Sequence, residues 1–169
     1  HNGRRRQRQM CIRDRHSEGL IVLSGCPSAE LFKKIVSGDE KSIMNTINWY
    51  KDVFGDDYYL EIMRHEHVDN QEKVNQWIIN NYKELNVKIV ATNDNHYETK
   101  DDYEKEILLK NVRSGSSNPR SDILEDNSYY IASPDEMREK FKDIPEACDN
   151  TLEIADKCNV QIDFSKTMI

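Results

Sequence analysis

The chain has 169 residues, of which 37% are hydrophobic and 33% are charged, and it carries a formal net charge of -7 at pH 7. This length allows one domain with a hydrophobic core, and no apolar run approaches the roughly 18 residues of a membrane-spanning helix, so composition indicates a soluble globular protein without a membrane role. The acidic balance also excludes a surface that grips nucleic acid throughout, because such affinity comes from Lys and Arg. Contact with DNA would have to be local or metal-mediated.

Residues 1–15 depart from this acidity, because they hold six Arg in the stretch RRRQRQMCIRDR. A DNA-binding arm or a targeting presequence explains the stretch poorly, since no apolar signal core follows it and it has no Ser-rich amphipathic spacing. Residues 5–14 can be back-translated into codons that resemble the adapter of a transposase-based sequencing library read in frame. We therefore expect residues 1–15 to be non-native and the native sequence to begin near His16.

After this segment, strand-like and helix-like patterns alternate. The β-branched run GLIVLSGC predicts a buried strand, and the runs YYLEIM and VKIVATND predict two more. Gly38 and Gly55 are typical helix stops, and Asp39 and Asn70 are typical helix caps. The predicted strands are 19–26, 58–63 and 87–92, and the predicted helices between them are 29–36, 39–54 and one that begins after Asn70.

The second half continues with a charged helix over 101–112 and a loop at RSGSSNPRSD (113–122). A short strand in YYIAS then leads to a capping box formed by Ser133 and Glu136, with Pro134 at the first helical position and Phe141 facing inward. The last helix begins at Pro145. Strands that alternate with helices of this length indicate an α/β fold with parallel βα units, in a barrel or a doubly wound sheet.

Cysteine usage argues against a disulfide framework. Of the four Cys, Cys11 falls in the adapter-like segment, and the other three form no CxxC pair. Cys148 and Cys158 recur at helical spacing with Leu152 and Ala155, so we expect both to be buried small hydrophobic residues.

The sequence ATNDNHY places Asp94 and His96 two residues apart, just after a predicted buried strand. Their side chains should point the same way, and a carboxylate and an imidazole there suit a divalent metal such as zinc. The alternative is that Asp94 caps the next turn and His96 packs against Tyr97. Cys26 ends another predicted strand and could join the same site, or it could be a buried core residue.

Three further polar residues belong to the second predicted strand or follow it. His65 and His67 are candidate ligands, or they belong to an exposed polar turn. Glu61 lies inside an otherwise apolar strand, where an unpaired carboxylate would cost several kcal/mol. We therefore expect Glu61 to have a partner such as a cation, an Arg or a histidine behind a metal site.

These motifs together resemble the second half of the PHP domain of bacterial DNA polymerase III alpha subunits, which are replicative family C polymerases. The resemblance covers nearly all of 18–162 and rests on the phrases EGLIVLSGC, FGDDYYLEIMRH, KVNQWIINNYKELNVKIVATNDNHY, SPDEMREKF and IPEACDNTLEIADKCNVQI. It implies a partial distorted (βα) barrel with a trinuclear metal site. Cys26, Asp94 and His96 match ligand positions of that family, and the His-x-His motif that opens a PHP domain is absent. Residues 16–169 would then be a partial PHP domain, without the first half of the barrel and the downstream polymerase domains.

The resemblance also implies cofactors, partners and location. The PHP site would hold divalent metal ions, zinc first and manganese or magnesium as alternatives, and magnesium would serve the absent polymerase site. The partners would be DNA through the full-length polymerase, a proofreading exonuclease subunit and the sliding clamp, in the cytoplasm.

Two principal functions follow from the resemblance. The metals of an intact PHP domain could support 3′-to-5′ exonuclease proofreading beside the polymerase, although the fragment alone should be inactive. Alternatively, the domain is a non-catalytic scaffold that docks a separate proofreading subunit. A stand-alone PHP phosphatase is a third possibility.

Overall fold

The computed structural model describes residues 17–114 and 127–161, and within these it contains three strands and six α-helices. The strands are β1 (Val22–Leu23), β2 (Tyr58–Ile62) and β3 (Lys88–Ala91). The helices are α1 (Glu30–Ser37), α2 (Glu40–Phe54), α3 (Gln71–Asn81), α4 (Tyr103–Ser114), α5 (Pro134–Lys140) and α6 (Pro145–Lys157). Short 3-10 helices occupy Gly55–Asp57 and Lys100–Asp102. The predicted alternation of strands and helices is confirmed.

The strands form one parallel sheet in the order β1-β2-β3, with β2 in the centre. Tyr59 of β2 is in register with Leu23 of β1 and with Lys88 of β3. Because all three strands run the same way, their C-terminal ends meet at one edge of the sheet. The loops that leave this edge carry every predicted metal ligand.

The helix ends agree with the capping signals in the sequence. Gly38 ends α1 in the left-handed conformation with φ 74°. Glycine adopts this conformation without a clash because it has no Cβ. The Asp39 side chain then accepts a hydrogen bond from the Ser42 amide at 3.0 Å and begins α2. The predicted capping box of α5 is present, because Ser133 and Glu136 each bond the other's backbone N–H.

The hydrophobic core lies between the sheet and the helices around it. Ile43 and Ile47 of α2, Leu60 of β2 and Phe141 after α5 are fully buried. The core face of α3 includes Val74 and Ile78, which are buried in the same cluster. Apolar positions at helical spacing therefore hold α1, α2 and α3 against the sheet.

Several local predictions are wrong. The run 19–26 contains only a two-residue, half-buried strand, because β1 has a strand partner on one side alone among the described residues and Gly25 turns the chain with φ 91°. The predicted strand near 129–132 is a single bridge between Tyr97 and Tyr130. Asn70 takes the N-cap position of α3, but its side chain makes no capping bond.

Of the two cysteines predicted to be buried, Cys148 is buried and Cys158 is exposed. The prediction fails for Cys158 because α6 ends at Lys157, so the helical face that covers Cys148 does not continue. The predicted loop over 113–122 lies mostly outside the described residues, and α4 extends through Ser114. No helix in the two described ranges has the length and apolar character to cross a membrane.

Candidate metal centre at the C-terminal edge of the sheet

Glu61 lies at the middle of this edge and joins the loops on its two sides. Its Oε2 accepts a hydrogen bond from the Gly25 amide at 2.9 Å, and its Oε1 accepts one from the Thr92 hydroxyl at 2.6 Å. Its own amide donates to Ser24 Oγ at 2.8 Å. The carboxylate therefore has partners, as the sequence predicted. They are a backbone amide and a hydroxyl, rather than a cation, an Arg or a histidine.

Burial raises the pKa of the Glu61 carboxyl above its ordinary value. The hydrogen bonds from Thr92 and Gly25 oppose this rise because they favour the ionised form, while the nearby charge of Asp94 adds to it. The carboxylate is therefore held in place by two hydrogen-bond donors, in a partly buried environment that disfavours its ionised form.

The structure brings Asp94 and His96 together. His96 Nε2 lies 3.6 Å from Asp94 Oδ2, and both side chains are about one-third exposed. Asp94 adopts a left-handed backbone conformation with φ 47°, which turns the chain directly after β3. The His96 amide donates to the Tyr129 carbonyl at 2.7 Å, and its ring meets the Tyr129 ring edge-on at 5.5 Å. The ring contact therefore involves Tyr129 rather than the Tyr97 of the alternative prediction.

Tyr129 is a central contact that the sequence did not predict. Its ring stacks on the His65 ring with centroids 4.2 Å apart, and its hydroxyl lies 2.8 Å from His67 Nε2. His65 Nδ1 also lies 2.8 Å from the Ser128 hydroxyl. His65 is buried and lies before the turn, so the exposed polar turn is wrong for it. His67 lies in a turn as that alternative predicted, but it is half-buried rather than exposed.

The segment around Tyr129 is fixed by the buried side chain of Asn93. Asn93 Nδ2 donates to the carbonyls of Ser128 and Tyr130 at 2.8 and 2.9 Å, and its Oδ1 accepts a bond from Lys140 Nζ at 2.7 Å. One amide thereby ties the loop after β3 to the segment before α5. The motif ATNDNHY contains this residue, but only the fold indicates its role.

Cys26 lies on the opposite side of the edge from Asp94. The half-buried Cys26 lines a small cavity that Glu61 also lines, while Asp94 and Glu61 line a larger cavity of about 540 Å³. Glu61 is thus common to both cavities. Cys26 is not the buried core residue of the alternative prediction.

The donor chemistry of these residues suits a metal, since a thiolate, a carboxylate and an imidazole are the ligands that zinc takes in proteins. Within residues 17–114 and 127–161, however, no three His, Cys, Asp or Glu side chains come close enough to hold one ion. Asp94 and His96 are brought together as a pair, and Cys26 is not grouped with them. The described residues therefore supply a two-ligand partial site.

A family model for the PHP domain matches residues 2–65, which run from the amino-terminal segment through β2. The chain therefore contains part of a PHP domain. The resemblance predicted from the sequence is thus confirmed, and the parallel three-stranded sheet is consistent with part of a PHP-type barrel.

The curated relatives are named DNA polymerase III subunit alpha. The protein of Chlamydia pneumoniae is 34% identical over 89% of this chain, and that of Borreliella burgdorferi is 36% identical over 86%. The Campylobacter jejuni protein is 37% identical over 88% of the chain. The chain spans only 13 to 15% of the length of these three relatives. PHP domains are generally metal-dependent, and this match does not identify the metal.

Proposed function

We propose that this PHP domain is part of a DNA polymerase III alpha subunit and binds divalent metal, zinc first, with Cys26, Asp94 and His96 as ligands. The observation that supports the proposal most directly is the Asp94 and His96 pair, 3.6 Å apart at the C-terminal edge of a parallel sheet. This edge is where βα folds place their chemistry. The ligand set would be completed by residues outside the described part of the chain.

The proposed reaction is removal of a nucleotide from a DNA 3′ end. A bound divalent metal would supply an activated water and would stabilise the leaving oxygen of the phosphodiester. The chain's own residues would hold and orient the site. Asp94 lines the 540 Å³ cavity together with Asn95 and Arg138, so a polar ligand has room beside this carboxylate. The polymerase activity itself would belong to the remainder of the protein, with DNA and replisome proteins as its partners.

A second candidate is a PHP scaffold that docks a separate proofreading subunit and has no catalysis of its own. The observation that favours it is that the described residues do not gather three metal ligands. In that case a metal at Asp94 and His96 would be structural, or the site would bind none.

Metal content and exonuclease activity of the full-length protein distinguish the two candidates. We expect about one or more zinc equivalents and removal of 3′ nucleotides from single-stranded DNA, both lost in Asp94→Ala. Asp156→Ala, which removes an exposed carboxylate of α6, is the matched control and should change neither. Bound zinc without exonuclease activity supports the scaffold, and a wild-type protein that binds no metal contradicts the proposed site.

We also propose that residues 1–15 are adapter-derived rather than native. The support is that residues 5–14 can be back-translated into a sequence that resembles a library adapter. The PHP family match begins within this segment, at residue 2. Sequencing the genomic locus with a library that uses no transposase adapter tests this. We expect an open reading frame that continues upstream of the His16 codon and encodes a His-x-His motif. A genomic sequence that encodes the Arg-rich stretch would contradict the proposal.

A further inference from the structure

The two loops that carry the proposed ligands contact the same carboxylate. Gly25, which donates to Glu61 Oε2, directly precedes Cys26, and Thr92, which donates to Glu61 Oε1, lies two residues before Asp94. Each oxygen of Glu61 therefore holds one loop. A rigid strand lies between them, because β2 pairs with both β1 and β3.

The local geometry makes this arrangement specific. Gly25 has φ 91°, and a Cβ at this position would lie 2.9 Å from the Ala29 Cβ, so glycine is required for the turn that aims its amide at Glu61. The Thr92 hydroxyl bond is short at 2.6 Å, as expected for a donor to a charged oxygen. The backbone bonds between the strands end before the ligands, since the Ser24 amide bonds Tyr59 O and the Thr92 amide bonds Ile62 O. The backbone bonds of the ligands themselves, Ala29 N to Cys26 O and His96 N to Tyr129 O, do not join the two loops to each other.

We infer that Glu61 is a positioning residue, which fixes the Cys26 loop and the Asp94 loop relative to each other across the end of β2. It acts through hydrogen bonds to Gly25 and Thr92 and does not itself bind the metal. The inference relies on the proposed function only where metal affinity is measured, because the coupling of the two loops exists in the metal-free protein.

Two pairs of variants test this role in the full-length protein. Glu61→Ala removes both bonds, whereas Glu61→Gln retains an oxygen that accepts from Gly25 and gains an amide that donates to Thr92. Thr92→Val removes one bond at nearly constant volume, and Thr92→Ser restores the hydroxyl. The Thr92 pair keeps the test decisive if Glu61→Ala fails to fold.

Amide hydrogen exchange of the metal-free protein is the first measurement. We expect exchange in peptides spanning 24–27 and 92–96 to rise about tenfold or more in Glu61→Ala, since each lost bond held a partly buried group. Thr92→Val should accelerate the second peptide most. Glu61→Gln and Thr92→Ser should stay within about threefold of wild type. Unchanged exchange in both Glu61→Ala and Thr92→Val overturns the inference.

Zinc affinity, measured by competition with a chelator, is the second measurement. Loss of a residue that orients ligands costs about 10- to 100-fold in metal affinity, so we expect that loss in Glu61→Ala and recovery in Glu61→Gln. Equal loss in both Glu61 variants would identify Glu61 as a ligand and overturn the inference. If wild type binds no zinc but the exchange pattern holds, the positioning role stands and the proposed metal function fails.

Discussion

At the scale of single residues, the shape of the candidate site depends on polar side chains that bridge separate segments. Asn93 joins the loop after β3 to the segment that carries Tyr129. Arg64 makes a similar bridge, because its guanidinium bonds both oxygens of Asp143 and lies 5.0 Å from the Phe141 ring. This ion pair lowers the pKa of the Asp143 carboxyl. Each such residue connects parts of the chain more than 30 positions apart, so its loss affects two segments at once.

The first prediction concerns the buried amide of Asn93. Asn93→Ala removes the hydrogen bonds that this amide makes to two carbonyls and to the Lys140 ammonium, and an unmade buried hydrogen bond costs about 1–3 kcal/mol. We expect the free energy of unfolding to fall by an amount in that range, measured by urea denaturation. The neighbouring Asn95 is exposed, so Asn95→Ala is the control and should change stability by less than about 0.5 kcal/mol. Equal effects of the two substitutions would contradict the assigned role.

The second prediction concerns pH. Glu153 lies 2.6 Å from Lys88 Nζ and also contacts Lys157 and the Tyr59 hydroxyl, with Asp57 beyond Lys157. The hydrogen bonds from Lys88 first, and then from Tyr59 and Lys157, hold the pKa of Glu153 down to about 2. Because the folded pKa is below the ordinary value of 4.5, this stabilisation is present above pH 4.5 and is lost as pH falls toward 2.

Glu153→Gln should therefore be less stable than wild type at pH 6, and the difference should shrink between pH 4.5 and 2. The pair is at the surface, so we expect a difference within about 1 kcal/mol at pH 6. Thermal melts across this pH range measure it. A difference that stays constant with pH would show that the loss comes from packing rather than from charge.

At the scale of elements, the short helix α5 shows how local signals support a distant core contact. α5 has only seven residues, and Phe141 directly after it is fully buried. Its start is set by Ser133 and Glu136, whose hydrogen bonds hold the pKa of Glu136 at about 2. A helix this short has little stability of its own, so its cap and its core contact both matter.

The third prediction concerns this cap. Ser133→Ala removes the acceptor for the Glu136 amide and should cost about 1 kcal/mol of stability, measured by chemical denaturation. Ser133→Asp restores an acceptor at the N-cap and should recover most of the loss. If Ser133→Asp were as unstable as Ser133→Ala, the cap would not be the cause.

α4 differs from the other helices because its apolar side chains face solvent. Leu108, Leu109 and Val112 are 63%, 59% and 71% exposed. Their spacing resembles that of a core face, and nothing in the described structure covers them. Periodicity alone therefore did not identify which helical faces are buried.

At the scale of the whole molecule, the core is continuous but the sheet is open. Helices α1, α2 and α3 and the residues Phe141, Ala147 and Cys148 join one buried cluster around the sheet. In the described residues only β2 is paired on both sides, so β1 and β3 each present an edge. Unpaired strand edges are templates for association with other chains.

The fourth prediction concerns these edges. Residues 16–169 produced alone should associate as concentration rises, because the strand edges and the apolar face of α4 are uncovered. Sedimentation velocity over a concentration series measures this. A monomer at every concentration, with a sharp cooperative melt, would contradict the prediction.

The sequence alone determined the order and type of most elements, but not of the segment near 129–132, which forms a single bridge instead of the predicted strand. The signals that did so are local and can be recognised without knowledge of the fold. They are the helix stops at Gly38 and Gly55, the helix caps at Asp39 and Ser133, and the spacing of apolar residues in α2 and α3. The motif ATNDNHY also placed Asp94 and His96 together, because residues two apart after a strand share one side. The extent of β1 was overestimated because a β-branched run does not reveal whether a strand is paired on one side or two.

Only the tertiary structure decided which residues support the site. Glu61 finds its partners at Gly25 and Thr92, 36 and 31 positions away, and Tyr129 reaches His65 and His67 across more than 60. No periodicity encodes such contacts, because they arise where the ends of parallel strands converge. The proximity of Asp94 and His96 was therefore predictable from local spacing, whereas the contacts of Glu61 with Gly25 and Thr92 were not.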